Sequence, residues 1–337
     1  MTAALTSLLF VLLVASTALA QAGTWARQRS GTMSWLHAVF FLDQNRGWAV
    51  GSKGALLQTH DGGNTWSAHA SPTDDVVRDI FFIDDQNGWI VCEVNAYQLK
   101  TVEEPRAYLM KTIDGGEHWK RIEIKGFNID SILVRAVFSR KNRGWTFGEA
   151  GQIYSTRDAG ETWVPLRSPT RHLLLGGIFV DEDRGWLVGA GATIIQTSDG
   201  GDTWYQSPLP QVEQTVRFNA TSFVDNRRGW AVGSGGNVYR TANGGRTWER
   251  QASTVDVDLF DVKFVNEREG WAVGAEGTII HTVDGGEHWT TERSGTPHPL
   301  ERVFFSDRNH GWAVGFGGTV VSYLGPEVSA TRQRRSQ

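Results

Sequence analysis

Apolar and polar positions follow one short pattern that returns along most of the chain. In its clearest copy the runs 261–264, 270–274, 278–282 and 288–291 are rich in Val, Ile, Thr and Trp, with Gly, Asn and Asp between them. Runs of β-branched and aromatic residues separated by turn formers are strand and hairpin chemistry. No stretch beyond the first twenty residues sustains a helical period. Each unit therefore predicts four short antiparallel strands.

Two marks fix the period. An octet of the form Thr-x-Asp-Gly-Gly-x-x-Trp occupies 59–66, 112–119, 156–163, 197–204, 241–248 and 282–289. Gly-Trp-Ala-Val-Gly, or a near copy, places its Trp at Trp48, Trp89, Trp145, Trp186, Trp230, Trp271 and Trp312, in steps of 41, 56, 41, 44, 41 and 41. A period near 40 marks stacked units, none of which buries its apolar face alone. Seven four-stranded units predict an all-β fold, a seven-bladed β-propeller of four-stranded antiparallel blades.

The chain ends predict how the ring closes. Gly23-Thr24-Trp25 matches the end of an octet that has no beginning, while 319–323 aligns with a third strand followed by Leu324-Gly325-Pro326 in place of the octet turn. The N-terminal strand should thus complete the last blade and remove the open edge. In the octet itself, the Asp should accept backbone N–H groups two residues on, Gly should take up positive φ, and the Trp should anchor the blade. Asn243 replaces the Asp in the fifth octet and should make the same turn.

Residues 1–20 hold the apolar run 8–14 and end in Ala18-Leu19-Ala20, the form of a signal peptide cleaved before Gln21. The run is shorter than the roughly 20 residues a membrane span needs, so no stable membrane anchor is expected. The domain plan is a signal peptide at 1–20, the propeller at 21–326 and a flexible basic tail at 327–337. The expected product is exported, to the periplasm or medium, and monomeric. With 33 basic and 37 acidic residues, nothing points to nucleic acid. Cys92 is the single cysteine and reads as a buried, inert thiol within a second strand. The nine histidines are scattered over several blades, so neither a metal nor another cofactor is expected.

Loop lengths nominate a working face. The segment 93–110 lengthens the second blade, and the connections after Trp119 and Trp204 are also extended. In a four-stranded meander all of these emerge on one face, together with the starts of the channel-lining strands. The octet turns, and the turns carrying Arg46, Arg143, Arg184 and Arg228, lie on the other. Loops on a rigid scaffold carry function. Counting eleven residues back from each Gly-Trp tryptophan, with slips of one allowed, gives His37, Arg78, Arg135, Gly176, Asn219, Phe260 and Glu301 at the mouth, with Arg217, Asp261 and Arg302 nearby. Several arginines around one opening suit carboxylates or acidic protein surfaces.

The octet resembles the Asp-box of BNR-repeat and sialidase-like propellers, in which it is structural. Paired with Gly-Trp-Ala-Val-Gly over seven units, from 25 to 323, it looks most like the photosystem II stability/assembly factor family. The resemblance implies a non-catalytic propeller that binds protein partners, newly made membrane-protein subunits, and a thylakoid-lumen location if the host is photosynthetic. It also implies an arginine-rich contact, for which Arg78, Arg135, Arg217 and Arg302 are the matching positions here. Charge reversal of Arg78 and Arg135 together is expected to abolish partner capture with little change in the melt. The alternative is an Asp-box glycoside hydrolase or a carbohydrate-binding propeller. For hydrolysis, Asp79, Asp261 and Glu301 are the candidate carboxylates, and Tyr97 and Tyr108 are the tyrosines placed to reach the mouth; the Arg-Ile-Pro segment of sialidases is missing.

Overall fold

The computed structural model describes residues 23–95, 99, 101, 104–140, 142–209 and 215–326; the expected signal peptide and basic tail, and Tyr97, lie outside them. Within these residues 28 strands form seven four-stranded antiparallel sheets. Before Pro326, helix is limited to short 3-10 turns such as Ser52–Gly54, which join second and third strands. The sixth unit shows how closely strand chemistry marks the elements: its strands are Leu259–Phe264, Gly270–Gly274, Ile279–Thr282 and Thr290–Glu292.

Seven inner strands surround the channel and contact one another in sequence around the ring. They are β2 (Leu36–Phe41), β6 (Val76–Phe82), β10 (Leu133–Arg140), β14 (Leu174–Phe179), β18 (Phe218–Phe223), β22 (Leu259–Phe264) and β26 (Leu300–Asp307). The ring closes as the termini predict. Strand β1 (Thr24–Gln28) pairs with β28 (Thr319–Leu324), Trp25 opposite Tyr323, so the last blade runs from the inner β26 outward to the N-terminal strand.

One aromatic device, used seven times, holds the blades together. Phe41, Phe82, Phe138, Phe179, Phe223, Phe264 and Phe305 stand at matching positions near the ends of the inner strands. Each lies between two tryptophans. The Gly-Trp indole of the preceding blade stacks flat on it, as Trp145 does on Phe179 (3.4 Å, 7°) and Trp230 on Phe264 (3.5 Å, 6°). The octet Trp of its own blade meets it edge-on, as Trp204 does Phe179 (5.9 Å, 90°) and Trp289 does Phe264 (5.8 Å, 89°). Trp25 takes the edge-on place against Phe305, and Trp312 stacks on Phe41 across the closure. Such pairs contribute about 0.5–1.5 kcal/mol each beyond area burial. The glycine of Gly-Trp follows from this packing: a Cβ at Gly229 or Gly270 would overlap the Phe ring of its own blade.

The octet turns differ in detail from the sequence expectation. In the first, Thr59 Oγ1 accepts the Gly63 amide (2.9 Å), and Asp61 Oδ1 reaches four residues on, to the Thr65 amide (2.9 Å). The hydroxyl thus satisfies the amide inside the turn and the carboxylate closes its exit. Asn243 makes the same closure on the Thr247 amide at 3.0 Å. The turns also receive the neighbouring blade: the indole N–H groups of Trp145, Trp186, Trp230 and Trp312 donate to Gly200, Gly244, Gly285 and Gly62 carbonyls. Trp271 Nε1, which faces the blade without an octet, has no partner among the described residues, and neither does Trp89 Nε1.

Candidate functional site: the channel mouth

Every inner strand is bulged at the same point. The register skips one residue between Leu36 and Ala38, and likewise at the start of the other six inner strands. A bulge leaves one residue out of the ladder and re-aims its side chain. The seven residues skipped are His37, Arg78, Val134, Leu175, Asn219, Phe260 and Glu301, and all seven line a cavity of about 240 Å³ at the channel mouth. The count of eleven from each Gly-Trp tryptophan holds without slips. Allowing slips wrongly put Arg135 and Gly176 at the rim in place of Val134 and Leu175.

Arg135 belongs instead to the next layer, paired in the ladder with Phe147, just as Asp79, Asp261 and Arg302 pair with Val91, Val273 and Val314. These four form the floor of the mouth. Arg135 Nη2 lies 3.2 Å from Asp261 Oδ1, and Arg302 lies 3.5 Å from Asp79 Oδ1 and 3.9 Å from Asp261 Oδ2. The aspartates also tie blade to blade: Asp79 accepts the Ala136 amide at 3.1 Å, and Asp261 the Val303 amide at 3.0 Å. Burial raises the Asp79 carboxyl above its usual range, against the pull of Arg302 and Arg135, and lowers the Arg302 guanidinium. The floor is a charge-balanced plug joining blades 2, 3, 6 and 7.

The rim above it is more open. Arg78 pairs with Glu93 at 2.5 Å and Arg217 with Asp258 at 3.2 Å; their side chains are 35% and 45% exposed, against 12% and 14% for Arg135 and Arg302. Glu301 accepts the Trp35 indole N–H at 3.1 Å, and burial raises its carboxyl pKa. His37 contacts Ser52 Oγ at 3.0 Å. Burial, then Arg78 and Arg302, lowers its pKa to about 3, so it is neutral at pH 7.

The four arginines singled out in the sequence therefore share one cavity lining, but as two pairs with different duties. Reversing Arg135 would add a third carboxylate to the floor that already holds Asp79 and Asp261, so a large change in the melt is expected of it. Tyr108 does not reach the mouth: it is buried in the third strand of its blade, its hydroxyl bonded to Asp75 and Thr73 at 2.7 Å each. The second-blade insertion is shorter than 93–110, since the flanking strands Gly88–Glu93 and Ala107–Thr112 extend into it. It leans on the next blade connection, where Arg106 donates to the Asp130 carbonyl at 2.9 Å. Cys92 is buried as expected, its thiol pushed up to about 12 by desolvation. No group of three or more His, Cys, Asp or Glu placed to hold a metal occurs among the described residues, nor any helix long and apolar enough to cross a membrane. The sequence signal for the rim is its fixed distance from Gly-Trp, and the signal for the floor is a charged residue one position later.

A closed seven-bladed propeller whose inner strands all bulge into one polar mouth is the class of protein that fold and site define. The description "Photosynthesis system II assembly factor YCF48" matches residues 17–75, 65–171, 165–256 and 250–324, and the chain belongs to this family. A sequence comparison with curated proteins found no match. Among solved structures, a YCF48 bound to a D1 peptide is similar over 92% of this chain and 99% of its own, at 20% identity and a TM-score of 0.72. YCF48 from Cyanidioschyzon merolae is similar over 90% and 99%, at 21% identity and a TM-score of 0.73. A GH74 xyloglucanase from Xanthomonas campestris shares the fold at 13% identity and a TM-score of 0.67, over 88% of this chain and 53% of its own.

Proposed function

We propose that this protein is an exported, monomeric and non-catalytic binding scaffold. It captures a protein partner, a segment of a membrane-protein subunit, at the mouth face during assembly. The observation that carries the reading is the row of bulges, which present seven different side chains to one opening on an otherwise repetitive ring. Family membership supports it, as does the D1 peptide held by a structurally similar YCF48. Arg78 and Arg217 are the contact arginines, because their guanidinium edges reach solvent. Arg135 and Arg302 set the floor against which the segment rests.

The hydrolase reading finds less support. Of the three candidate carboxylates, Asp79 and Asp261 already engage guanidinium groups and a backbone amide, and Glu301 accepts the Trp35 indole N–H. A general acid and base need free oxygens toward the sugar.

The test is a cross-linking pull-down from the native exported fraction with the wild type and the Arg78→Glu/Arg217→Glu double variant. Membrane-protein subunits recovered with the wild type, and reduced about tenfold or more with the variant, are expected. Equal recovery, with both proteins folded, overturns the assignment of the rim.

A further inference from the structure

On the face opposite the mouth, the sixth octet position is acidic in four of the six octets and basic in one. Its occupants are Asn64, Glu117, Glu161, Asp202, Arg246 and Glu287. The four acids each reach a base on the preceding blade: Glu117 to His69 (3.5 Å), Glu161 to Lys111 (2.5 Å), Asp202 to Arg157 (2.8 Å) and Glu287 to Arg240 (3.7 Å). The octet thus supplies the negative half of an inter-blade ion pair.

Between the fourth and fifth blades the sign is reversed. Arg246 stands where four of the other octets carry an acid and the first carries Asn64, and Asn243 stands where all five others carry Asp. Facing them is Arg184 of the fourth blade, with Arg227 beside it, all lining one open cleft of about 640 Å³. Among the described residues no carboxylate lines this cleft. Arg184 has a loose contact to Asp181 at 4.0 Å, and among the described residues no ion pair is formed by Arg227 or Arg246. Three guanidinium groups thus face a site from which the usual carboxylates have been removed. The amides of Asn226 and Gln196, and the ring of Tyr205, 59% exposed, complete the walls.

We propose that this cleft binds the phosphate group of a small phosphorylated molecule. The dianion supplies from outside the charge that four other octets carry covalently at the sixth position. Guanidinium forks match phosphate oxygens, and the amides and Tyr205 receive the organic remainder. The site is independent of the mouth and lies on the opposite face.

Thermal melts with inorganic phosphate, glucose 6-phosphate and sodium chloride at matched ionic strength test it. At about 10 mM the phosphate probes should raise the wild-type midpoint by about 2 °C, and chloride should not. Tighter binding of glucose 6-phosphate than of inorganic phosphate supports the ester as ligand. Arg246→Glu restores the inter-blade pair, so it should raise the basal midpoint and abolish the phosphate response; Arg227→Gln should weaken binding about tenfold. A wild-type midpoint indifferent to both phosphate probes, or a full response retained in Arg246→Glu, overturns the proposal.

Discussion

The two faces of this ring follow opposite rules. On the octet face the same turn recurs with the same Thr, Gly and Trp, and it takes an indole N–H and an ion pair from the preceding blade. On the mouth face the same bulge recurs, but its side chain changes at every blade, from His37 to Arg78, Val134 and Glu301. One face repeats chemistry and the other repeats only geometry. A packed aromatic sandwich tolerates almost no substitution, whereas a residue outside the ladder can vary without disturbing the strand pairing. Recognition can therefore diversify on one face while the other preserves the ring.

The largest effect should come from breaking the repeated side. Trp230→Ala removes a fully buried indole that stacks on Phe264 and donates to the Gly285 carbonyl at 2.8 Å. A loss of about 3–5 kcal/mol is expected. Denaturant unfolding measures it, and a loss below about 1 kcal/mol would show that the sandwich is not the main inter-blade contact.

The next test divides the mouth itself. Arg135→Glu should cost about 3–5 kcal/mol, because it leaves Asp261 beside a second buried carboxylate. Arg217→Glu should cost less than about 1 kcal/mol, since its pair with Asp258 is solvent-screened. Equal losses from the two would erase the distinction between floor and rim.

Much of this was legible in the sequence, for physical reasons. Strand periodicity, the octet and Gly-Trp are local patterns, and closure could be inferred because Thr24 and Trp25 complete a unit that the C-terminus leaves short. The bulge was less visible: it changes which residue faces the channel by a single step, and no turn former marks it. Hence Arg135 was placed one layer too high. Pairing across the channel was not legible at all, since Asp79, Arg135, Asp261 and Arg302 come from four blades and only closure brings them together. Tyr108 misled because the flanking strands lengthen into an apparent loop.

The smallest effect compares the faces through two histidines. His281, on the octet side, stacks on Trp271 and touches Glu292 at 2.9 Å and Glu269 at 3.7 Å. Burial opposes its charged form, but the two carboxylates, Glu292 in hydrogen-bond reach and Glu269 as a nearby charge, outweigh burial and raise its pKa above 6.5. Its contribution is therefore complete below pH 6.5 and is lost as pH rises through the elevated value. His37 at the mouth is the reverse. Its pKa falls to about 3, so the unfolded chain takes up a proton below pH 6.5 that the folded chain refuses, and stability declines as pH falls from 6.5 toward 3. Thermal midpoints of His281→Gln and His37→Asn, each subtracted from wild type across pH 4–9, should slope in opposite directions. The His281 difference should shrink above pH 6.5. The His37 difference should change below it. Two slopes of the same sign would mean that one of these rings is not in the environment described, and with it one of the two faces.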